Sequence, residues 1–119
     1  MAWVAIFHEA FDAAFLELSR DVQTALAAKA RLPESMGPML GRPHVDTLKN
    51  SKHSNMKELR FDAADGAWRA ASAFDMTRQA VVLVAGDKSG GGEARFYRGF
   101  IATADRRFDE HLARQKKGG

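Results

Sequence analysis

The sequence predicts an α+β fold: an antiparallel β-sheet of about four to five strands, an N-terminal helical hairpin packed on one face, and a C-terminal helix. Three observations carry this. Between Asn55 and Lys88, three short runs rich in strand-forming residues alternate with compact turns, the sequence form of an antiparallel meander. Between Glu9 and Arg31, apolar residues recur at helical spacing. From Ala94 to about Lys117 they do so again, with a period near 3.6. The 119 residues are read as a single domain, 1–119, long enough to bury a core without disulfide or metal staples.

Taken in order, Trp3-Val4-Ala5-Ile6-Phe7 is short, apolar and β-rich, and opens the fold as a strand. Phe11, Ala14, Phe15 and Leu18 fall at i, i+3, i+4 and i+7 and make one apolar stripe. Ser19 is placed to cap a second helix with Asp21 in its first turn; Val22, Leu26 and Ala30 continue the apolar face to about Arg31. Pro33 cannot sit inside a helix without losing a hydrogen bond, so it opens a short extra turn reaching Met39. Residues 41–55 are polar and turn-rich, with a short edge strand near Val45 to Leu48; Lys49, Lys52, His53 and Lys57 cluster there, as a solvated loop or as part of a site.

In the meander, alternation sets Leu59 and Phe61 against Glu58 and Arg60, and Trp68, Ala70, Ser72 and Phe74 against Arg69. Each of two neighbouring strands thus carries an arginine at mid-length on its less apolar side. The first turn is Asp62-Ala63-Ala64-Asp65-Gly66, with Gly66 able to supply a positive φ. Asp87-Lys88-Ser89-Gly90-Gly91-Gly92-Glu93 matches no phosphate-loop pattern and reads as a flexible connector. In the last helix, Phe96, Phe100, Ile101, Ala104 and Phe108 form a stripe too wide to leave in water, and Arg95, Arg98, Arg106, Arg107 and Arg114 occupy the other side.

Composition narrows the classes. With no cysteine, disulfides and thiolate chemistry are excluded. No apolar run approaches the roughly 20 residues of a membrane span, and the N-terminus has no basic region ahead of a hydrophobic block, so a cytoplasmic protein without a membrane partner is expected. The net charge of +3 is unevenly spread. Residues 1–40 hold three basic and five acidic side chains, and residues 41–119 fifteen and ten. The positive half is the sheet and the last helix: either a polyanion-binding surface or a merely basic solvated face.

Gly41-Arg42-Pro43-His44-Val45-Asp46-Thr47-Leu48, Ser51-Lys52-His53-Ser54-Asn55-Met56-Lys57-Glu58-Leu59-Arg60, Trp68-Arg69, Ala73-Phe74-Asp75, Gly86-Asp87-Lys88, Arg95-Phe96-Tyr97, Ala104-Asp105 and Asp109-Glu110-His111-Leu112 occur in that order. The chain resembles, over nearly its whole length, the phage-derived HigB-like branch of the RelE/ParE toxin superfamily. The resemblance implies a RelE/ParE-like fold, a small helix-turn-helix antitoxin held in a toxin–antitoxin hetero-oligomer, and an endoribonuclease that cleaves messenger RNA on the ribosome and inhibits translation. ParE-like relatives instead poison DNA gyrase, so a non-catalytic gyrase poison or interaction module stays open.

Metal-free RNA scission requires a deprotonated 2′-hydroxyl, balanced charge on a phosphorane-like transition state, and a protonated 5′-oxygen. Arginine suits the second task, because its planar fork matches phosphate oxygens and stays charged. The candidate catalytic residues are Arg60, Arg69, Lys57, Lys88 and His53, the last because its titration range suits acid or base work. The candidate RNA-binding residues are Lys49, Lys52, Tyr97, Arg106, Arg107 and Arg114. Tyr97 either stacks on a base or packs at the start of the last helix. His8, His44 and His111 have no metal-ligand spacing, and neither a metal nor another cofactor is expected.

Overall fold

Along the chain run β1 (Val4–Phe7), α1 (Glu9–Leu16), α2 (Arg20–Ala30), β2 (Val45–Thr47), β3 (Met56–Ala63), β4 (Gly66–Phe74), β5 (Gln79–Asp87) and α3 (Glu93–Gly118). The computed structural model describes residues 3–31 and 45–118. The extra turn expected from Pro33 to Met39 lies outside them, as does His44.

The five strands form one sheet in the order β1-β5-β4-β3-β2. β2 to β5 are antiparallel, but β1 runs parallel to β5, from Val4 opposite Gln79 to Phe7 opposite Val82. The sheet is therefore mixed, which corrects the purely antiparallel expectation. A parallel neighbour needs a long crossover. Here α1 and α2 carry the chain from one edge strand to the other, and the meander walks back until β5 lies beside β1.

Both hairpin helices begin at side-chain caps. His8 Nδ1 accepts from the Ala10 amide at 3.0 Å, and Ser19 Oγ from that of Val22 at 3.4 Å. Gln23 donates to the Phe15 and Leu18 carbonyls at 2.9 and 3.2 Å, tying the start of α2 to the end of α1.

The sheet is packed on both faces. On one, Phe11, Val22, Leu26 and Ala30 of the hairpin meet Leu59, Phe61, Ala70 and Val82. On the other, Phe100, Ala104 and Phe108 of α3 cover Met56, Ala71, Ala73, Val81 and Leu83. This second face also carries Glu58, Arg60 and Arg69, which are thus not on an open polar side. The aromatic half of α3 buries it, and small alanines let the helix approach.

Two irregularities matter. The β3–β4 turn places Ala64 at φ 49° and Asp65 at φ 60°. The positive φ expected at Gly66 falls instead on these two residues, because a two-residue hairpin matching the sheet's twist needs it at both central positions. Gly66 serves otherwise: a Cβ there would lie 2.5 Å from the Asp87 carboxylate. Between β4 and β5 the register slips, with Ala71 opposite Val84 and Ser72 opposite Val82, leaving Leu83 as an extra, bulged residue.

Three groups of contacts tie down the middle and end of α3. Ser51 Oγ donates to Asp105 at 2.5 Å. His111 and Gln115 both reach the buried Asp75 carboxylate at 2.8 Å. Arg114 bridges to Glu9 at 3.3 Å.

Candidate active site

Arg60 and Arg69 are direct cross-strand partners in the β3–β4 ladder. Like charges directly opposite each other repel, and Arg60 is neutralised from its own face. Arg60 Nε donates to Glu58 Oε1 at 3.0 Å, and its Nη2 lies 3.6 Å from Asp46. Glu58 sits two residues before Arg60 on β3, hence on the same face, and is buried.

Tyr97 descends onto this pair from the second turn of α3. Its phenol meets both Glu58 and Arg69. Burial, then the Glu58 carboxylate, push its pKa up to about 12, while Arg69 acts the other way. The phenol therefore keeps its proton at neutral pH and can donate it. Phe96 fixes this end of the helix against Gly86, where a Cβ would come within 2.9 Å of the ring. Arg69 Nη1 donates to the Trp68 carbonyl at 2.8 Å, and its buried Nε has no protein partner.

A cavity of about 520 Å³ opens here, lined by Asp46, Lys49, Glu58, Arg60, Glu93 and Tyr97 among others. A second, of about 550 Å³, lies towards α2 and takes in Lys29, Arg60, Phe61, Asp62 and Arg69. Arg60 lines both cavities, and Arg69 lines the second. Lys88, just beyond β5, reaches the rim of the first by holding Glu93 at 2.8 Å.

The structure thus brings together Arg60, Arg69, Tyr97, Lys49 and, through Glu93, Lys88. It does not bring Lys57, His53 or Lys52 to them. Lys57 lies on the opposite face of β3, where its amine donates to Thr47 Oγ1 at 3.2 Å. His53 Nε2 contacts Asp109 at 2.9 Å and its ring stands edge-on to Phe108. Asp109 is twelve residues beyond Tyr97 on α3, roughly 18 Å along the axis. Lys52 is paired with Asp109 too. A loop that looked like a catalytic cluster is a strap onto the helix.

The arginines of α3 also divide. Arg106 is exposed. Arg107 turns inward and donates to the Leu83 carbonyl at 2.7 Å, with burial and then Arg106 lowering its pKa. Arg114 faces Glu9. Arg95 and Arg98, exposed like Arg106, have no ion-pair partner among the described residues. Sequence reasoning missed Glu58 and Glu93 as site residues. The signal for Glu58 was its i, i+2 spacing from Arg60; for Glu93 no local pattern marks it.

The model of the phage derived protein Gp49-like family matches residues 13–109. The chain belongs to that family. It is 42% identical over 105 residues to the putative toxin HigB3 of Mycobacterium tuberculosis, covering 88% of this chain and 90% of that one. It is also 42% identical over 97 residues to the putative toxin HigB2 of the same organism, covering 81% of this chain but 48% of the relative. No solved structure matches significantly. The HigB-like resemblance seen in the motifs is therefore shown, and the three-layer architecture agrees with a RelE-like fold. No helix among the described residues is long and apolar enough to cross a membrane.

Proposed function

We propose that this HigB-like chain is the toxin of a type II toxin–antitoxin pair and acts as a metal-independent endoribonuclease on messenger RNA at the ribosome, held in check by a helix-turn-helix antitoxin. The observation that carries this reading is that Arg60, cross-strand partner of Arg69, meets Glu58 and Tyr97 at one cavity.

The four groups match the demands of the reaction. Glu58 accepts the proton of the 2′-hydroxyl, whose oxygen attacks the adjacent phosphorus. Arg60, exchanging Glu58 and Asp46 for phosphate oxygens, and Arg69, whose Nε is still without a partner, balance the charge of the phosphorane-like transition state. The bond to the 5′-oxygen breaks, and Tyr97 protonates the leaving alkoxide. The products are a 2′,3′-cyclic phosphate and a 5′-hydroxyl. Lys49 and Lys88 add positive field at the rim, and Tyr97 doubles as an RNA contact.

Ribosome docking falls to the outer face of α3. Arg95, Arg98 and Arg106 project there, and unpaired arginines at helical spacing suit phosphate contacts in ribosomal RNA. The test is primer extension on cellular mRNA after induction without an antitoxin. New 5′ ends within translated regions are expected, and Arg69→Ala should abolish them. Intact mRNA with arrested growth, or altered DNA supercoiling, would favour a gyrase poison or interaction module instead.

A further inference from the structure

Two cations at the cavity are already engaged by carboxylates of the protein itself. Arg60 is held by Glu58 and lies near Asp46. Lys88 is held by Glu93 at 2.8 Å. Glu93 differs from the other two acids in three ways. Its side chain is 67% exposed, whereas that of Glu58 is 5% exposed. It belongs to no strand and stands at the first position of α3, directly after Gly90-Gly91-Gly92. It also lies in the field of a second cation, because Lys88 and then Arg69 draw its pKa down. A carboxylate that lines the cavity, holds one cation and feels another occupies the place where a phosphodiester oxygen would be attracted.

We propose that Glu93 is an internal stand-in for substrate phosphate, engaging Lys88 in the resting protein and giving it up when RNA enters. The inference rests on the reading of this cavity as an RNA site. Displacement needs little rearrangement. The three glycines before Glu93 have open space where a Cβ would sit at each, and Gly91 takes φ +83°, so the loop leading into Glu93 is not packed at these positions. The rest of the first two turns stays seated, because Phe96 rests on Gly86. Lys88 is likewise fixed in the chain: its amide donates to the Ala67 carbonyl at 2.9 Å, and Asp87 holds the Ser89 amide at 2.9 Å. Only two side-chain ends need to part.

The strength of the competition follows from exposure. A solvent-exposed ion pair is weak and screened by salt, so Glu93 tempers affinity without blocking the site. Its removal should tighten RNA binding about three- to five-fold at low salt, with the gain fading as ionic strength rises. By freeing one more cation for phosphate, it should also steepen the salt dependence of binding by about one counterion.

The test uses the full chain and a fluorescein-labelled 2′-O-methyl oligoribonucleotide, which cannot be cleaved, with anisotropy titrations at several salt concentrations. Glu93→Gln should bind more tightly than the wild type, and Lys88→Ala more weakly. In the Lys88→Ala background, Glu93→Gln should bring little further gain, since the cation it releases is gone. Unchanged or weaker binding by Glu93→Gln overturns the inference and makes Glu93 a support for Lys88. A gain that persists undiminished without Lys88 also overturns it, leaving only a long-range field. Arg60→Ala and Arg69→Ala separate the two levels. If neither weakens binding, the cavity is not the RNA site and the underlying reading fails; if both do while Glu93→Gln is neutral, only the stand-in fails.

Discussion

Arg107 donates from Nη1 to the carbonyl of Leu83 at 2.7 Å, and Leu83 is the residue that the β4–β5 bulge leaves without a cross-strand partner. A bulge opens the ladder locally, and a buried carbonyl without a donor is costly. The guanidinium completes the sheet from the neighbouring layer. Arg107→Ala should therefore destabilise the fold by about 2 kcal/mol, whereas Arg106→Ala should stay within about 0.5 kcal/mol of the wild type. Urea unfolding of the two variants checks this. In ribosome sedimentation, Arg106→Ala is the one expected to weaken association and flatten its salt dependence.

At the proposed active site, Arg69→Ala should slow the proposed cleavage on the order of a hundred- to thousand-fold, the usual effect of losing one preorganised charge contact at a transition state. Tyr97→Phe removes the proton donor and keeps the ring packing, so it should lower the cleavage rate with little change in RNA affinity. Single-turnover cleavage of ribosome-bound mRNA, with circular dichroism as the fold control, separates these effects. Wild-type rates in Tyr97→Phe would remove the phenol from proton transfer.

Acid stability should show two limbs. His8 caps α1 through Nδ1 as an acceptor, which requires the neutral ring. Burial lowers its pKa below 6.5, with Glu110 opposing and Arg107 and Arg114 reinforcing the shift. A lowered pKa means the native state binds fewer protons, so this contribution is full above pH 6.5 and is lost as pH falls through the folded value. His8→Asn keeps a capping acceptor without a titrating ring and should flatten stability between about pH 5 and 7. The deeper limb belongs to Asp75. Burial raises its pKa, but hydrogen bonds from His111, Gln79 and Thr77 outweigh burial and leave it below 3.8. Its contribution is full above that value and is lost on further acidification, a loss that Asp75→Asn should remove. Urea midpoints measured from pH 3 to 8 test both limbs.

The β3–β4 turn offers a gain. Ala64 and Asp65 both sit at positive φ and are exposed, a conformation that costs Ala64 most, since Gly, Asn and Asp adopt it more readily. Replacing the pair by Asn-Gly should stabilise the protein by about 1–2 kcal/mol. A higher thermal midpoint with unchanged cleavage is the expected result.

Much of this molecule could be read from spacing. The Ser19 cap, the stripe of Val22, Leu26 and Ala30, the three meander strands and the aromatic face of α3 are local patterns, and all appear where periodicity puts them. Alternation likewise placed Arg60 and Arg69 on one face. What escaped was set by long-range packing. Nothing near Trp3 shows that β1 will run parallel to β5, since that depends on where the crossover returns. His53 looked catalytic and Lys52 RNA-binding because they are basic and close in sequence, yet Asp109, more than fifty residues later, claims them both. Glu58 looked like ordinary strand polarity until Tyr97 arrived from α3 to bury it.

The order of synthesis gives the three-layer arrangement a further meaning. Among the described residues, β1 is the first strand made, but its one neighbour in the sheet, β5, is the last. Glu58, Arg60 and Arg69 are all made before the helix that brings Tyr97 and Glu93 over them. A growing chain therefore carries half a site, with its arginines facing no phenol and its sheet face uncovered. The cavity comes into being only when α3 has docked over the sheet.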